Sequence, residues 1–508
     1  MKTYLGLEMG STRIKAAAVD ETFCTASSGG YTWKSSFSGG GWTYDLDEAW
    51  RGVRAALEGI ENRESVRCMG VSGMMHGYLA FDRNWNLLVP FRTWQNTMTG
   101  EAADELTRLF GFNVPQRWSI AHLYQAILNR EDHVADIAHI TTLGGYVHYC
   151  LTGENVLGVG EASGMFPIDE KTLDYDEEML EKFAHLVDEY DFSWDARDVL
   201  PRVLPAGECA GRLTAKGAER LGGLLLEGLV FAPPEGDAGT GMVATNAVAP
   251  RTGNVSAGTS IFSMVVLERP LRRVYPEIDI VATPAGKPVA MVHCNNGTND
   301  MNAWIALLKE TVELFGGSVD TGEIFTKLYQ KSLEGEADCG GVMVYNYLAG
   351  EGVTHLDEGR AMVVRGASAN LTLANFMRAQ LFSTMTTLRL GMDLLKEEHV
   401  AIDSLTGHGG LFKTPLVGQK LLAAACNAPV TCMEAAGEGG PYGMALLCAY
   451  QAEKQAGQAL EDFLNERVFR ENRGVTVAPD AADVAGFLNY TERFASGLAA
   501  ERMATETL

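Results

Sequence analysis

The 508-residue chain lacks the features that would put it in a membrane or an oxidising compartment. No uninterrupted apolar run approaches the ~18–20 residues that a bilayer span needs. The opening Met1-Lys2-Thr3-Tyr4 has no apolar core or small-residue cleavage site of a signal peptide, so a cytoplasmic protein is expected. The nine cysteines are scattered, odd in number and form no C-x-x-C pair, which argues against a disulfide framework and against a zinc site. Positive charge is short as well: 41 Lys and Arg face 65 Asp and Glu, a net −24. A surface of that sign repels polyphosphate chains and anionic membranes, so neither nucleic acid nor membrane is expected as a partner. A single bound nucleotide is not excluded, because it needs only a local pocket of N–H groups with a cation. The oligomeric state is open, with a homodimer allowed.

Apolar residues, at 46%, are enough for two cores, and single cores stop growing at roughly 250–300 residues. Tyr4 to Asp20 reads strand, turn, strand: Leu5, Leu7 and Met9 alternate, Gly10-Ser11-Thr12 breaks the pattern, and Ile14, Ala16 and Ala18 alternate again. Gly253 to Leu267 repeats that theme about 250 residues later, with Gly258-Thr259-Ser260 at its tip. Two related lobes facing one cleft are therefore expected: residues 1–248, then 249–455, with a helical tail over 456–508. Helices are expected over 47–60, 102–110, 120–129, 146–151, 303–314, 373–395, 416–427 and 443–455. Short strands are expected within 68–81, 229–232 and 404–406.

Phosphate oxygens seek backbone N–H groups and hydroxyls at close range. Gly10, Ser11 and Thr12 with Lys15 nearby fit that demand, as do Gly258, Thr259 and Ser260; the alternative is that both are ordinary hairpin turns. Asp237 follows a short strand and the turn Pro233-Pro234-Glu235-Gly236, among small residues. A carboxylate there can take a hydroxyl proton during phosphoryl transfer, or cap the helix that begins near Ala238; the two roles are compatible. Glu8, beside the first tip, makes sense next to phosphate only with a cation between, and Mg²⁺ held mostly by water and phosphate suits it. Gly407-His408-Gly409-Gly410 joins a strand to a helix without P-loop spacing, and Gly437-Glu438-Gly439-Gly440 is a similar cluster. Met74-Met75-His76-Gly77, Trp94-Gln95-Asn96 and His122 offer planar and aromatic groups of the kind that read sugars, whereas His133, His139, His293 and His355 lack metal-ligand grouping and read as structural or surface residues.

In this order the segments resemble the FGGY carbohydrate kinases, the group of xylulokinases, ribulokinases and glycerol kinases. The likeness spans about residues 4–455. Gly6 to Lys15 is similar to the first phosphate motif, and Ser72 to Gly77 to the substrate-side segment of xylulokinases. Leu151-Thr152-Gly153-Glu154 with Glu161-Ala162-Ser163-Gly164 resembles their L-T-G-E…D-A-S-G stretch. Gly236-Asp237 matches the G-D of the catalytic base, Gly258 to Ser260 the second phosphate motif, and Gly409 to Pro415 the adenosine-side loop. The resemblance implies two ribonuclease-H-like lobes of the actin and hexokinase type, an α/β fold. It implies ATP- and Mg²⁺-dependent phosphorylation of a small ketose or polyol, with xylulose or ribulose foremost. Asp237 would be the base, Glu8 the metal-side carboxylate, Ser11, Thr12 and Thr259 phosphate contacts, and Gly409 and Gly410 the border of the adenosine. Met75, His76, Trp94 and Asn96 would face the sugar. The chain departs from the pattern with Glu8 for Asp, Met74 for Gln and Gln95-Asn96 for N-D. A catalytically weakened nucleotide- or sugar-binding protein on the same fold is the alternative, and an actin-like ATPase ranks below it.

Overall fold

The computed structural model describes residues 2–433, 439–471 and 474–508. It is an α/β fold in two compact units. The first comprises Met1–Val248, Arg273–Val289 and Glu438–Glu471; the second comprises Ala249–Arg272, Ala290–Gly437 and Asn472–Leu508. A first division falls after Val248, but the chain returns twice to the first unit. The helix Gly440–Glu453 thus belongs to the first unit and the terminal helix Ala481–Thr507 to the second.

The first unit is built on β1 (Thr3–Met9), β2 (Arg13–Asp20), β3 (Thr25–Thr32), β4 (Val66–Gly73) and β5 (Val230–Phe231), ordered β3-β2-β1-β4-β5. β1 runs antiparallel to β2 and parallel to β4, which is parallel to β5. β1 is buried along its whole length, because helices cover both faces of a central strand. One cover is Leu46–Glu58, started by Asp45, whose side chain accepts the Glu48 N–H at 2.7 Å; it buries Ala49, Trp50, Val53, Ala56 and Leu57. The other is Gly440–Glu453, buried on nearly all sides. It lies so close to β1 that a Cβ on Gly6 would sit 1.9 Å from the Pro441 carbonyl oxygen, so only glycine fits there. β3 is an edge strand of small and polar residues; with no apolar alternation it escapes a reading by period.

The second unit repeats the plan with β6 (Thr252–Ala257), β7 (Ile261–Val266), β8 (Pro288–Cys294), β9 (Ser404–His408) and β10 (Val430–Cys432), ordered β8-β7-β6-β9-β10. Again the first two strands are an antiparallel hairpin, and the first pairs in parallel with the fourth. The weak three-residue likeness between the tips therefore belongs to a repeat of the whole sheet. The tail is not wholly helical: Val475–Val477 adds an edge strand antiparallel to β10, as a Val-Thr-Val run favours. Among the described residues no helix is long and apolar enough to cross a membrane.

Candidate active site

The two hairpin tips use one device. In the first, the Gly10 carbonyl accepts from Trp33 Nε1 at 2.7 Å, the Ser11 carbonyl from the Tyr44 hydroxyl at 2.7 Å, and the Thr12 carbonyl from the Trp33 N–H at 3.2 Å. A trans peptide directs its N–H opposite to its C=O. Tying three carbonyls back on one side turns the amides of Ser11, Thr12 and Arg13 toward the other. In the second tip the Gly258 carbonyl accepts from Thr298 N and Oγ1, both at 2.8 Å, and the Thr259 carbonyl from Gly297 N at 2.9 Å. The amides of Thr259 and Ser260 are turned outward in the same way. Thr12 and Thr259 are exposed. Rows of outward amides with hydroxyls suit an anion.

The surroundings of the two tips differ. Beside the first, Glu8 pairs across the hairpin with Lys15, Nζ to Oε2 2.6 Å, and its carboxyl lies against the start of the helix Gly440–Glu453. A Cβ on Gly440 would come within 2.4 Å of Glu8 Oε1. A helix start carries partial positive charge and unpaired N–H groups, which favours a carboxylate there. Gly437 and Glu438, the other half of the glycine cluster read from the sequence, lie outside the described residues. Beside the second tip stand Ser256, Asn254 and His408; burial draws His408 down to about 4, so it is neutral at pH 7. Behind it β9 ends, the chain turns left-handed at Gly409 (φ +96°), and Gly409 and Gly410 are exposed.

Asp237 opens the helix Asp237–Ala244, with Gly236 rather than Asp237 as the capping residue. Its Oδ1 accepts the N–H of Ala238 at 2.9 Å and more weakly that of Met75 at 3.4 Å, while Oδ2 accepts from none of the described residues. One oxygen is anchored and the other open. Burial, then the Glu8 carboxylate, push Asp237 up to about 6, against the pull of those N–H groups and Lys15. Thr240 steadies the turn, its Oγ1 2.9 Å from Ser72 Oγ on β4.

Two further buried acids flank Asp237. Glu235, 1% exposed, accepts the N–H of Glu161 at 3.0 Å and of Gly160 at 3.4 Å, and burial pushes it up to about 8. The carboxyl of Glu161, fully buried, accepts no hydrogen bond of ordinary geometry from the described residues. Burial raises it well above the carboxylate range despite the nearby Thr142, and Asp237 and Glu235 add to the rise. Its Oε2 lies where a Cβ on Gly236 would be, at 2.6 Å, and Met75 shares that face. The same segment holds His76, whose Nδ1 is 3.0 Å from the Gly164 carbonyl and whose ring stacks on Trp118. Hence the structure gathers Asp237, Met75 and His76 with Glu161 and Glu235.

The remaining substrate-side candidates are placed differently. Trp94 is 37% exposed. Asn96 is buried and its amide is engaged: Oδ1 takes the Trp42 N–H at 2.7 Å, and Nδ2 donates to the carbonyls of Trp42 and Thr93 at 2.9 and 3.1 Å. Only a second lone pair on Oδ1 is left for a ligand. His122 is fully buried, stacked on Tyr78, and drawn down to about 3 by burial and then by Arg92, so its ring stays neutral inside the core.

Residues 3–239 match the N-terminal domain, and residues 253–452 the C-terminal domain, of the FGGY family of carbohydrate kinases. The chain belongs to this family. The FGGY kinase is 24% identical to the xylulose kinase of Haemophilus influenzae over 97% of this chain and 99% of that protein. In fold it is similar to the ligand-bound xylulose kinase of Lactobacillus acidophilus (TM-score 0.81, 16% identity, 98% of each chain). It is equally similar to a gluconate kinase of that organism (TM-score 0.80, 16% identity, 98% of each chain). The kinase therefore has the two-domain α/β fold of sugar kinases, of the actin and hexokinase type, and acts as a carbohydrate kinase; ATP is the co-substrate the family implies.

Reading the kinase from its sequence missed Glu161 and Glu235. The signal was present: Glu235-Gly236-Asp237 sets two acids around one glycine, and Glu161 heads the Glu161-Ala162-Ser163-Gly164 stretch. Nothing in the spacing says that these distant segments meet.

Proposed function

We propose that this kinase transfers the γ-phosphoryl group of ATP to a hydroxyl of a small ketose or polyol, a pentulose such as xylulose or ribulose first, with Asp237 as the general base. The observation that carries the reading is the divided carboxyl of Asp237. Oδ1 is held by two N–H groups, Oδ2 is open, and burial has moved its proton affinity to about 6. A base with that affinity is ionised at pH 7 yet still a useful proton acceptor. Gly10, Ser11 and Thr12 with Lys15 are read as one phosphate contact, and Gly258, Thr259 and Ser260 as the other. Gly409 and Gly410 border the nucleotide. His76, Met75 and Trp94 face the acceptor, with Asn96 holding the Trp42 backbone nearby.

Mg²⁺ fits this reading. An ion held mainly by phosphate and water needs only one or two carboxylates from the protein. Glu8 is such a carboxylate, at present paired with Lys15. When bound, the ion would neutralise charge on the transferring phosphate. Around it the chain's own groups turn amides toward the phosphates, orient the sugar hydroxyl on Asp237 and accept its proton at Oδ2.

The Glu8–Lys15 pair also supports a second reading, a protein that binds nucleotide and sugar with weakened catalysis. ADP release by the purified chain against a panel of ketoses, polyols and aldonates separates the two. Turnover with a pentulose supports the kinase reading, and ATP binding without turnover on any acceptor supports the second. Turnover with gluconate or glycerol alone overturns the pentulose assignment.

A further inference from the structure

The ties that hold the second tip are themselves held by a buried polar network. Asn346 donates from Nδ2 to the carbonyls of Asn296, at 3.1 Å, and Gly297, at 2.7 Å. Ser383 fixes Asn346, its Oγ donating to Oδ1 at 2.8 Å and accepting the Asn346 N–H at 3.1 Å. From the other side Glu351 Oε2 accepts both the backbone N–H and the side-chain N–H of Asn296, at 3.3 and 3.1 Å. Asn296 Oδ1 in turn accepts the N–H groups of Leu348 and Ala349 at 2.9 and 3.0 Å. Asn296, Asn346, Glu351 and Ser383 are each at most 3% exposed.

Burying so many polar groups is costly unless each is paired, and an apolar plug of the same volume would close the space at less cost. What the network adds is direction. The bonds of Asn346 and Glu351 end on Asn296 and Gly297, and the N–H groups of Gly297 and of the following Thr298 draw back the carbonyls of Thr259 and Gly258. We propose that Asn346 and Glu351 are positioning residues for the nucleotide: by locking Gly297 and Thr298 they aim the amides of Thr259 and Ser260 at a phosphate of ATP. The inference rests on reading the second tip as a phosphate contact, and the test separates the two.

Steady-state kinetics of Asn346→Asp, Glu351→Gln, Glu351→Ala and Thr259→Ala are compared with the parent. Aspartate is nearly isosteric but lacks the NH₂ group that reaches both carbonyls, and even a protonated carboxyl could donate to only one of them, so Asn346→Asp raises the KM for ATP by about tenfold while kcat and the sugar KM stay within about threefold. Glu351→Gln keeps an acceptor oxygen and stays within about twofold of the parent, whereas Glu351→Ala follows Asn346→Asp. An unchanged KM for ATP in a folded Asn346→Asp, or a fall in Tm with no kinetic change, overturns the proposal. If Thr259→Ala raises the KM for ATP and Asn346→Asp does not, the network proposal alone fails. If neither Thr259→Ala, which removes the hydroxyl, nor Ser256→Glu, which sets a negative charge beside the amides, raises the KM for ATP, the phosphate reading of the tip fails and the network proposal with it. Should Asn346→Asp not fold, Ser383→Ala removes a single pin: a rise of about threefold in the KM for ATP supports the proposal, and no rise overturns it.

Discussion

The same order of five strands, with the same glycine–hydroxyl hairpin, recurs within both large sheets, yet the two tips stand in opposite chemical settings. At the first, Glu8 precedes the turn and raises the proton affinity of Asp237, which in turn neighbours Glu161 and Glu235. At the second, the position two residues before the turn is Ser256, its parallel partner is the neutral His408, and the one acid in the bracing network, Glu351, is turned to Asn296 behind the tip. A triphosphate tolerates neutral donors anywhere along its length but tolerates acids only where a cation or a proton intervenes. On the function proposed above, the difference would divide the labour: the second tip would hold the nucleotide, and the first would meet the end where charge moves. In that proposal a shared backbone device would serve anion binding twice, and the side chains around it would decide which copy does chemistry.

The comparison breaks most severely at Asp237. Asp237→Asn keeps the shape and removes the proton acceptor, so kcat is expected to fall by roughly 10³-fold while the affinity for ATP, measured by calorimetry, changes little. Folding gives a second readout. Burial raises Asp237 from 3.8 to about 6, so the folded state binds the extra proton and stability declines as pH rises through that window. Above it the ionised carboxyl opposes folding, and the variant is expected to melt higher than the parent at pH 7.5. Parent-like turnover would remove Asp237 from the mechanism. Next in size is Glu8. Glu8→Ala is expected to lower kcat by about 10²-fold, and Glu8→Asp to preserve or raise it, if the carboxylate serves a metal. Equal activity in all three forms would make the acid at the first tip incidental, and the contrast between the tips with it.

Much of this contrast is legible in the residues themselves. The alternation around Gly10-Ser11-Thr12 and Gly258-Thr259-Ser260 locates both hairpins, because a strand buried on one or both faces must show its period or its apolar run. The motif order carries the family. What stays hidden is whatever depends on contact between distant segments. The bond from Tyr44 to the Ser11 carbonyl, the crossing of Pro441 over Gly6, and the meeting of Glu161 with Gly236 leave no local pattern. Asn96 shows the converse. An amide in a substrate-like segment reads as a sugar contact, but in the fold it is largely engaged with the backbone of Trp42 and Thr93.

A charge moved from one tip to the other sharpens the comparison further. Ser256→Glu places at the second tip the acid that the first tip carries beside Lys15 and the helix Gly440–Glu453. The KM for ATP is expected to rise by about tenfold, equivalent to ~1.4 kcal/mol, and the sugar KM to stay unchanged. The rise should shrink in high salt, since the residue is partly exposed. No change in the KM for ATP would mean that the second tip does not approach phosphate.

The smallest effect concerns how the first unit carries three acids in one place. Ionising Asp237, Glu161 and Glu235 together would set like charges side by side in a poorly solvated pocket, so two of them are expected to stay protonated at pH 7. Burial raises Glu161 well above the carboxylate range and Glu235 to about 8, which leaves Asp237, at about 6, as the one that ionises first. In kcat/KM against pH, activity should fall as pH drops through about 6, where Asp237 gains its proton. Glu161→Gln is then nearly silent, because glutamine has the shape and charge of a protonated glutamate: the acidic limb should move by less than about half a unit and kcat by less than about threefold. If Glu161 were instead ionised in the working enzyme, deleting its charge would lower the proton affinity of Asp237 and carry the limb down by roughly a unit. That shift, read from one pH profile, would show that the acceptor side is a true cluster of charges rather than one base shielded by two neutral neighbours.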